Sequence, residues 1–229
     1  MDPTDAAHVL TTPEEYAEFL SDLPWEKRIE MLNAFRCAEL QGAAELRVLA
    51  SVTTDDGLRA KFERHAADEE KHGRYFGEIM LALGAEPFEP SAEPDHITIG
   101  GKLIVDTLND IEEILPRPGE PAGLDRIIPV LVLFQAVEQR ALVSFEAHRR
   151  SLEAIDPGVA ERIGEIIADE SHHARYVRKL LDEWAEGEYG DVVRRAEADT
   201  AAREERAREW AAERMEAERL REHEATRGA

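Results

Sequence analysis

A nine-residue stretch, Ala67-Asp68-Glu69-Glu70-Lys71-His72-Gly73-Arg74-Tyr75, returns as Ala168-Asp169-Glu170-Ser171-His172-His173-Ala174-Arg175-Tyr176. The offset is 101 residues throughout, and Ala, Asp, Glu, His, Arg and Tyr match in register. Each copy carries Glu-x-x-His. On a helix, residues i and i+3 share a face about one turn apart, so the carboxylate and the imidazole can grip one metal ion together. Two copies suit two ions, or one shared centre.

Helices have to present these groups at a common depth. Alternating steps of three and four residues, the spacing of a bundle core, trace four apolar stripes. They run Leu32, Phe35, Glu39, Gly42, Leu46, Leu49; then Leu58, Phe62, His65, Glu69, His72, Phe76, Ile79, Leu83. The third is Ile127, Leu131, Phe134, Glu138, Ala141, Phe145, His148, Leu152, and the fourth Val159, Ile163, Ile166, Glu170, His173, Val177, Leu180, Trp184. Each stripe places one Glu where an apolar side chain belongs, and the two repeat helices add His72 and His173. An isolated buried charge costs several kcal/mol or changes its protonation state. Two divalent cations would balance Glu39, Glu69, Glu138 and Glu170, with two neutral imidazoles completing the set. One Glu from each of two helices and a Glu-x-x-His from each of two others is the donor set of carboxylate-bridged dinuclear sites in four-helix bundles.

On those six residues, over roughly Pro24 to Trp184, the chain resembles the ferritin-like di-iron carboxylate superfamily, which includes bacterioferritin and rubrerythrin. The resemblance implies an all-α, ferritin-like four-helix bundle with a long crossover, and two iron ions. Glu69 and Glu170 would bridge them; Glu39 with His72, and Glu138 with His173, would be terminal. Mixed carboxylate and imidazole donors suit iron or manganese better than a soft metal, so manganese or a mixed pair stays open. The implied activity is that of an oxidoreductase, a non-haem di-iron oxidase or oxygenase. It would use dioxygen or peroxide to oxidise a small organic molecule, holding open coordination positions in a dry apolar shell. Two alternatives stand beside it: a ferroxidase or iron-storage protein, and a non-catalytic structural or partner-binding bundle.

Around the six, Asp68 and Asp169 each lie four residues before a ligand His. A carboxylate accepting the free imidazole N–H fixes the ring and raises its basicity, within a helix or between helices. His65 is in its stripe four residues before Glu69, where the second half has Ile166. It is a third imidazole near the centre, a proton donor, or a core histidine satisfied by a neighbour. Tyr75 and Tyr176 repeat near the site, as electron relays or edge hydrogen-bond groups. His148 lies ten residues beyond Glu138, about 15 Å along a helix, too far to ligate. Glu45, Glu70 and Glu146 fall off the apolar faces and should be exposed. Glu45 and Glu146 share the 101-residue spacing, which leaves a rival register open.

The totals set limits. The chain has 229 residues and a formal charge of −22, which argues against nucleic acid as a partner. One cysteine, Cys37, excludes an intramolecular disulfide, a four-cysteine zinc site and the four-cysteine iron domain of full rubrerythrins. The acidic start lacks an apolar signal region, and the longest apolar run, Ile127 to Phe134, is too short to span a bilayer. A cytoplasmic homodimer with no membrane partner is expected.

Three regions follow. Residues 1–23 hold a disordered start to Leu10 and a short helix opened by Thr12-Pro13. Residues 24–187 form the bundle, its first, second and fourth helices ending near Val52, Leu83 and Gly187, with Asp125 and Asp156 as caps of the last two. Between them, residues 84–125 make a crossover with loops rich in Pro and an extra helix over Ile97 to Leu115. Residues 188–229 read as a charged, exposed helix that is either solvated or packed on a neighbouring subunit.

Overall fold

The computed structural model describes residues 12–89, 107 and 109–206. Five helices carry the architecture: α1 (Pro13–Asp22), α2 (Trp25–Val52), α3 (Asp56–Ala82), α4 (Leu124–Glu153) and α5 (Pro157–Ala185). Residues 109–114 and 190–206 are helical as well, and no strand occurs among the described residues.

Local chemistry explains the boundaries. Thr12 and Glu15 form a reciprocal capping box at α1. Asp55 accepts from the Leu58 N–H at 2.7 Å to open α3. Asp156 accepts from Gly158 and Val159 at 2.9 and 3.2 Å to open α5, with Pro157 in the first turn. Asp125 does not cap α4. The cap position is Gly123, with no side-chain bond, and Asp125 sits in the first turn, where a carboxylate still favours the helix dipole. At the end of α3, Gly84 turns left-handed (φ 82°). Its N–H reaches Leu81 O at 3.0 Å and the Ala85 N–H reaches Met80 O at 2.9 Å, a Schellman closure that needs glycine there.

α2 packs on α3 and α4 on α5; α3 and α5 meet between the pairs, and α1 lies on α4. The Ala122 N–H donates to Val52 O at 2.9 Å, and Thr53 bridges Ala122. The start of α4 therefore lies where α2 ends and α3 begins, so α3 and α4 run the same way. That direction forces the long return of the chain between them. As it leaves α3, the Phe88 carbonyl accepts from Asn33 and Arg36, each at 2.9 Å.

The core follows the stripes. Phe35, Phe76 and Phe145 pack ring to ring, with centroids 5.1 to 5.7 Å apart. Phe62, Leu46, Leu49, Ile163 and Ile166 are fully buried, each contributing about 1.5–3 kcal/mol. Gly73, inside the first repeat, lets α2 and α3 approach closely: a Cβ there would meet the Leu40 side chain at 2.7 Å. α4 is long and apolar enough by composition to cross a membrane, more than the run Ile127 to Phe134 suggests. Its most apolar window has mean hydropathy 1.5 and is 61% buried within the chain, as a core helix is.

Two further expectations change. The helix over residues 190–206 is not simply solvated. Val193 and Ala196 are buried, Glu197 pairs with Arg178 at 2.8 Å and Glu204 with Arg140 at 3.3 Å, and Arg203 pairs with Asp110. It packs on its own chain. The rest of that tail, residues 1–11 and most of the crossover, including the start of its extra helix, lie outside the described residues.

Glu45 is the second change: it is buried, not exposed. Burial pushes its carboxyl up to about 7, with Glu112 adding repulsion and a 2.8 Å hydrogen bond from Gln41 opposing. A carboxyl that holds its proton more tightly when folded supports the fold at low pH and loses that support as pH rises through about 7. Glu45→Gln should therefore stabilise the protein at pH 8 by roughly 1–3 kcal/mol. The gain should vanish near pH 4; urea unfolding at the two pH values measures it.

Candidate metal centre

Each long helix sends groups to one depth. α2 contributes Glu39; α3 contributes His65, Glu69 and His72; α4 contributes Glu138; α5 contributes Glu170 and His173. None of the seven is more than 7% exposed. Their donor atoms fall into two overlapping groups, His65–Glu69–Glu138–His173 and Glu39–Glu69–His72–Glu170. Within each group all the donor atoms lie within 4.8 Å of one another. These buried carboxylate and imidazole clusters could hold metal ions. All six residues singled out by the stripes are present. Glu69 belongs to both groups and Glu170 to one, although Glu170 Oε2 also lies 3.1 Å from His173 Nδ1.

Each imidazole turns one nitrogen to the carboxylates and the other to an oxygen on the opposing repeat helix. His72 places Nδ1 2.8 Å from Glu170 and 3.3 Å from Glu39, and Nε2 3.2 Å from Asp169. His173 places Nδ1 3.2 Å from Glu69, and Nε2 3.5 Å from Asp68, a long contact. His65 places Nε2 2.9 Å from Glu69 and 3.0 Å from Glu138, and Nδ1 2.7 Å from the Tyr176 hydroxyl. The aspartates thus support imidazoles across the α3–α5 contact rather than within their own helices.

His72 Nδ1, Glu39 Oε2 and Glu170 Oε1 are buried and make no hydrogen bond among the described residues, yet they converge within about 3 Å of His72 Nδ1. Orphaned polar atoms aimed at one point fit a cation there. Without one, the cluster retains protons. Burial and then the Glu69 and Glu170 charges push Glu39 well up; burial and then Glu170 and Glu69 do the same to Glu138. For Glu69, burial acts upward but is outweighed by hydrogen bonds from His173 and His65, which hold it well down. Burial opposes the charged form of His173 as well, yet its bonds to Glu170 and Glu69 lift it to about 10. His65 is pushed down by burial, partly offset by Glu69.

Lys71 occupies the junction outside this cluster. Its ammonium lies 3.0 Å from Asp68 Oδ1 and 2.6 Å from Asp169 Oδ2, the two carboxylates that support His173 and His72. One cation between two like charges keeps both aspartates turned inward. In the second repeat the equivalent residue is His172, which is exposed; a group placed between the two halves is needed only once. Lys71→Met should weaken divalent-metal binding about tenfold, the scale of losing an outer partner, while Lys71→Arg retains it. Equilibrium dialysis against Co(II) measures the difference.

The remaining sequence expectations divide. His65 and Tyr176 join the cluster, whereas Tyr75 carries the Arg162 guanidinium 4.3 Å from its ring centroid. No hydrogen bond joins Tyr75 to the cluster among the described residues, because the position equivalent to His65 is Ile166. Glu70 and Glu146 are half-buried and bound to arginines, Glu70 to Arg47 and Glu146 to Arg149 and Arg150. With Glu45 apart from both groups, the rival register is not assembled. His148 is buried against Phe35 and Tyr16 and bonds to Ser144 O at 2.8 Å. Gly42 lies over the cluster, where a Cβ would sit 3.8 Å from Glu69 Oε2 and 3.9 Å from Phe134. Comparison with protein-family models, curated proteins and solved structures gave no match.

Proposed function

We propose that this chain is a ferritin-like di-iron carboxylate oxidoreductase acting on a small organic substrate. The observation that carries the reading is the convergence of four buried glutamates and three buried histidines in two donor groups that share Glu69. Such a concentration of acid in a core is tolerable where cations sit within it. A pair of ferrous ions, when bound, supplies the electrons that reduce dioxygen or peroxide and so drive oxidation of the substrate; manganese is the alternative ion.

The chain's own residues do the rest. Glu39, Glu69, His72, Glu138, Glu170 and His173 hold the ions. Asp169 and Asp68 orient two imidazoles from outside. Phe134, Phe62 and Ile166 are buried core residues of the same helices, which keeps the surroundings dry and strengthens every charge interaction inside. Gly42, with no side chain, keeps the face of α2 beside Glu69 and Phe134 uncrowded. Tyr176 keeps its proton, since burial and then the Glu138 and Glu69 charges push its phenol well up, and its hydroxyl holds His65 Nδ1 at 2.7 Å.

Anaerobic loading with Fe(II), followed by exposure to dioxygen, tests the reading. The expected result is uptake of two iron ions per chain, one round of oxidation, and no further iron accumulation. Continued uptake far beyond two ions would make iron itself the substrate and favour storage. Binding of neither iron nor manganese would leave a purely structural bundle.

A further inference from the structure

We propose that the two halves of this centre are inequivalent and fill in order, the His65 half taking a nitrogen-preferring divalent ion first. This rests on the dinuclear reading above and goes beyond it. The halves share Glu69 but differ in donors. One has two imidazoles and two carboxylates (His65, His173, Glu69, Glu138); the other has one imidazole and three carboxylates (His72, Glu39, Glu69, Glu170). The difference originates in the sequence repeat, which pairs His65 with Ile166, a fully buried aliphatic chain with no donor to offer.

His65 is seated for the role. Its Nδ1 is held by the Tyr176 hydroxyl at 2.7 Å, and its ring stacks on His173 with centroids 3.8 Å apart. Phe134 meets it at 6.2 Å. The ring therefore cannot turn without breaking a buried hydrogen bond, and Nε2 stays between Glu69 and Glu138. The arrangement repeats that of His72 with Asp169 and His173 with Asp68: one nitrogen anchored across the helix pair, the other facing carboxylates.

Donor type, rather than the number of negative charges, sets the order. An ion in the His65 half meets two carboxylates and forms a neutral unit with two imidazoles. The second ion then meets Glu39, Glu170 and His72, with Glu69 shared between the halves. Imidazole donors favour the later first-row divalent ions, and carboxylate oxygens the earlier ones. Cobalt(II) should feel the inequality strongly and manganese(II) weakly.

Calorimetric titration of the metal-free full chain with Co(II), followed also by visible absorption, tests this. Wild type should bind two ions in two steps separated by at least tenfold. His65→Gln, which keeps most of the volume, should weaken the first step at least tenfold and leave the second within about threefold. Glu39→Gln should weaken the second step and spare the first. Circular dichroism matching wild type secures the comparison, and His65→Asn serves as a second variant if His65→Gln is poorly folded. The proposal is overturned by one unresolved step for both ions, or by a His65 variant that leaves the first step intact or weakens both alike. No Co(II) binding by wild type would overturn the dinuclear reading itself, and the order of filling with it.

Discussion

Glu69→Ala should leave the chain unable to hold either ion. Glu69 is the one carboxylate shared by both donor groups, with Oε1 2.9 Å from His65 and 3.2 Å from His173. Its removal takes a donor from each half and one of the two carboxylates that face each of these imidazoles. Losing an outer partner of a metal ligand typically weakens binding 10–100-fold, so losing a shared donor should exceed about 100-fold at both positions. Glu70→Ala is the control one residue away. Its carboxylate is half-buried and paired with Arg47 at the surface, a pair worth about 0–1 kcal/mol, and metal content should not change. Elemental analysis after dialysis decides it. Two ions retained by Glu69→Ala, or equal loss in both variants, would mean that the inward face is not the binding face.

The second large effect concerns stability. Four glutamates share a core that gives none of them full access to water, so the metal-free protein is under electrostatic stress that bound metal would relieve. An ion at a thousand times its dissociation constant adds about 4 kcal/mol. In a domain of this size 1 kcal/mol moves Tm by about 2–4 °C, so two ions should raise Tm by on the order of 20 °C, reversed by chelation. The gain should grow with pH. Glu39 and Glu138 are held above the usual carboxylate range. Their support for the metal-free fold is present at low pH and lost as they ionise, while metal binding needs them ionised. Replacing both, as Glu39→Leu with Glu138→Leu, should remove the metal response and raise the metal-free Tm. Exchanging buried charge for apolar volume often gains about 1–4 kcal/mol. Scanning calorimetry with and without Co(II) reads both effects. An unchanged Tm on adding metal, or a double variant that melts well below wild type, would contradict the picture.

Much of this arrangement can be read along the chain. An α-helix fixes the angular position of every side chain about its axis, so residues in one stripe must share a face whatever the helix packs against. That is why Glu39, Glu69, Glu138 and Glu170 stood out, and why Asp156 and Thr12 marked helix starts. Glu45 shows where such reasoning stops. It sits beside its stripe on the helix and would be exposed on an isolated pair. It is buried in the folded chain, with Glu112 of the crossover close enough to raise its pKa. The helix over residues 190–206 is the same case, since its few apolar residues say little until Val193 and Ala196 find a surface on their own chain.

The sequence by itself therefore determined the helices, the two repeats and the common depth of six donor residues, because those depend on local geometry with a fixed period. The tertiary structure alone decided which nitrogen each imidazole offers, that Asp68 and Asp169 act across the helix contact, that Lys71 joins them, and that His65 stands among the donors. Those outcomes depend on what the opposing helix presents at a separation of about 3 Å, and a repeat in one dimension carries no record of that distance.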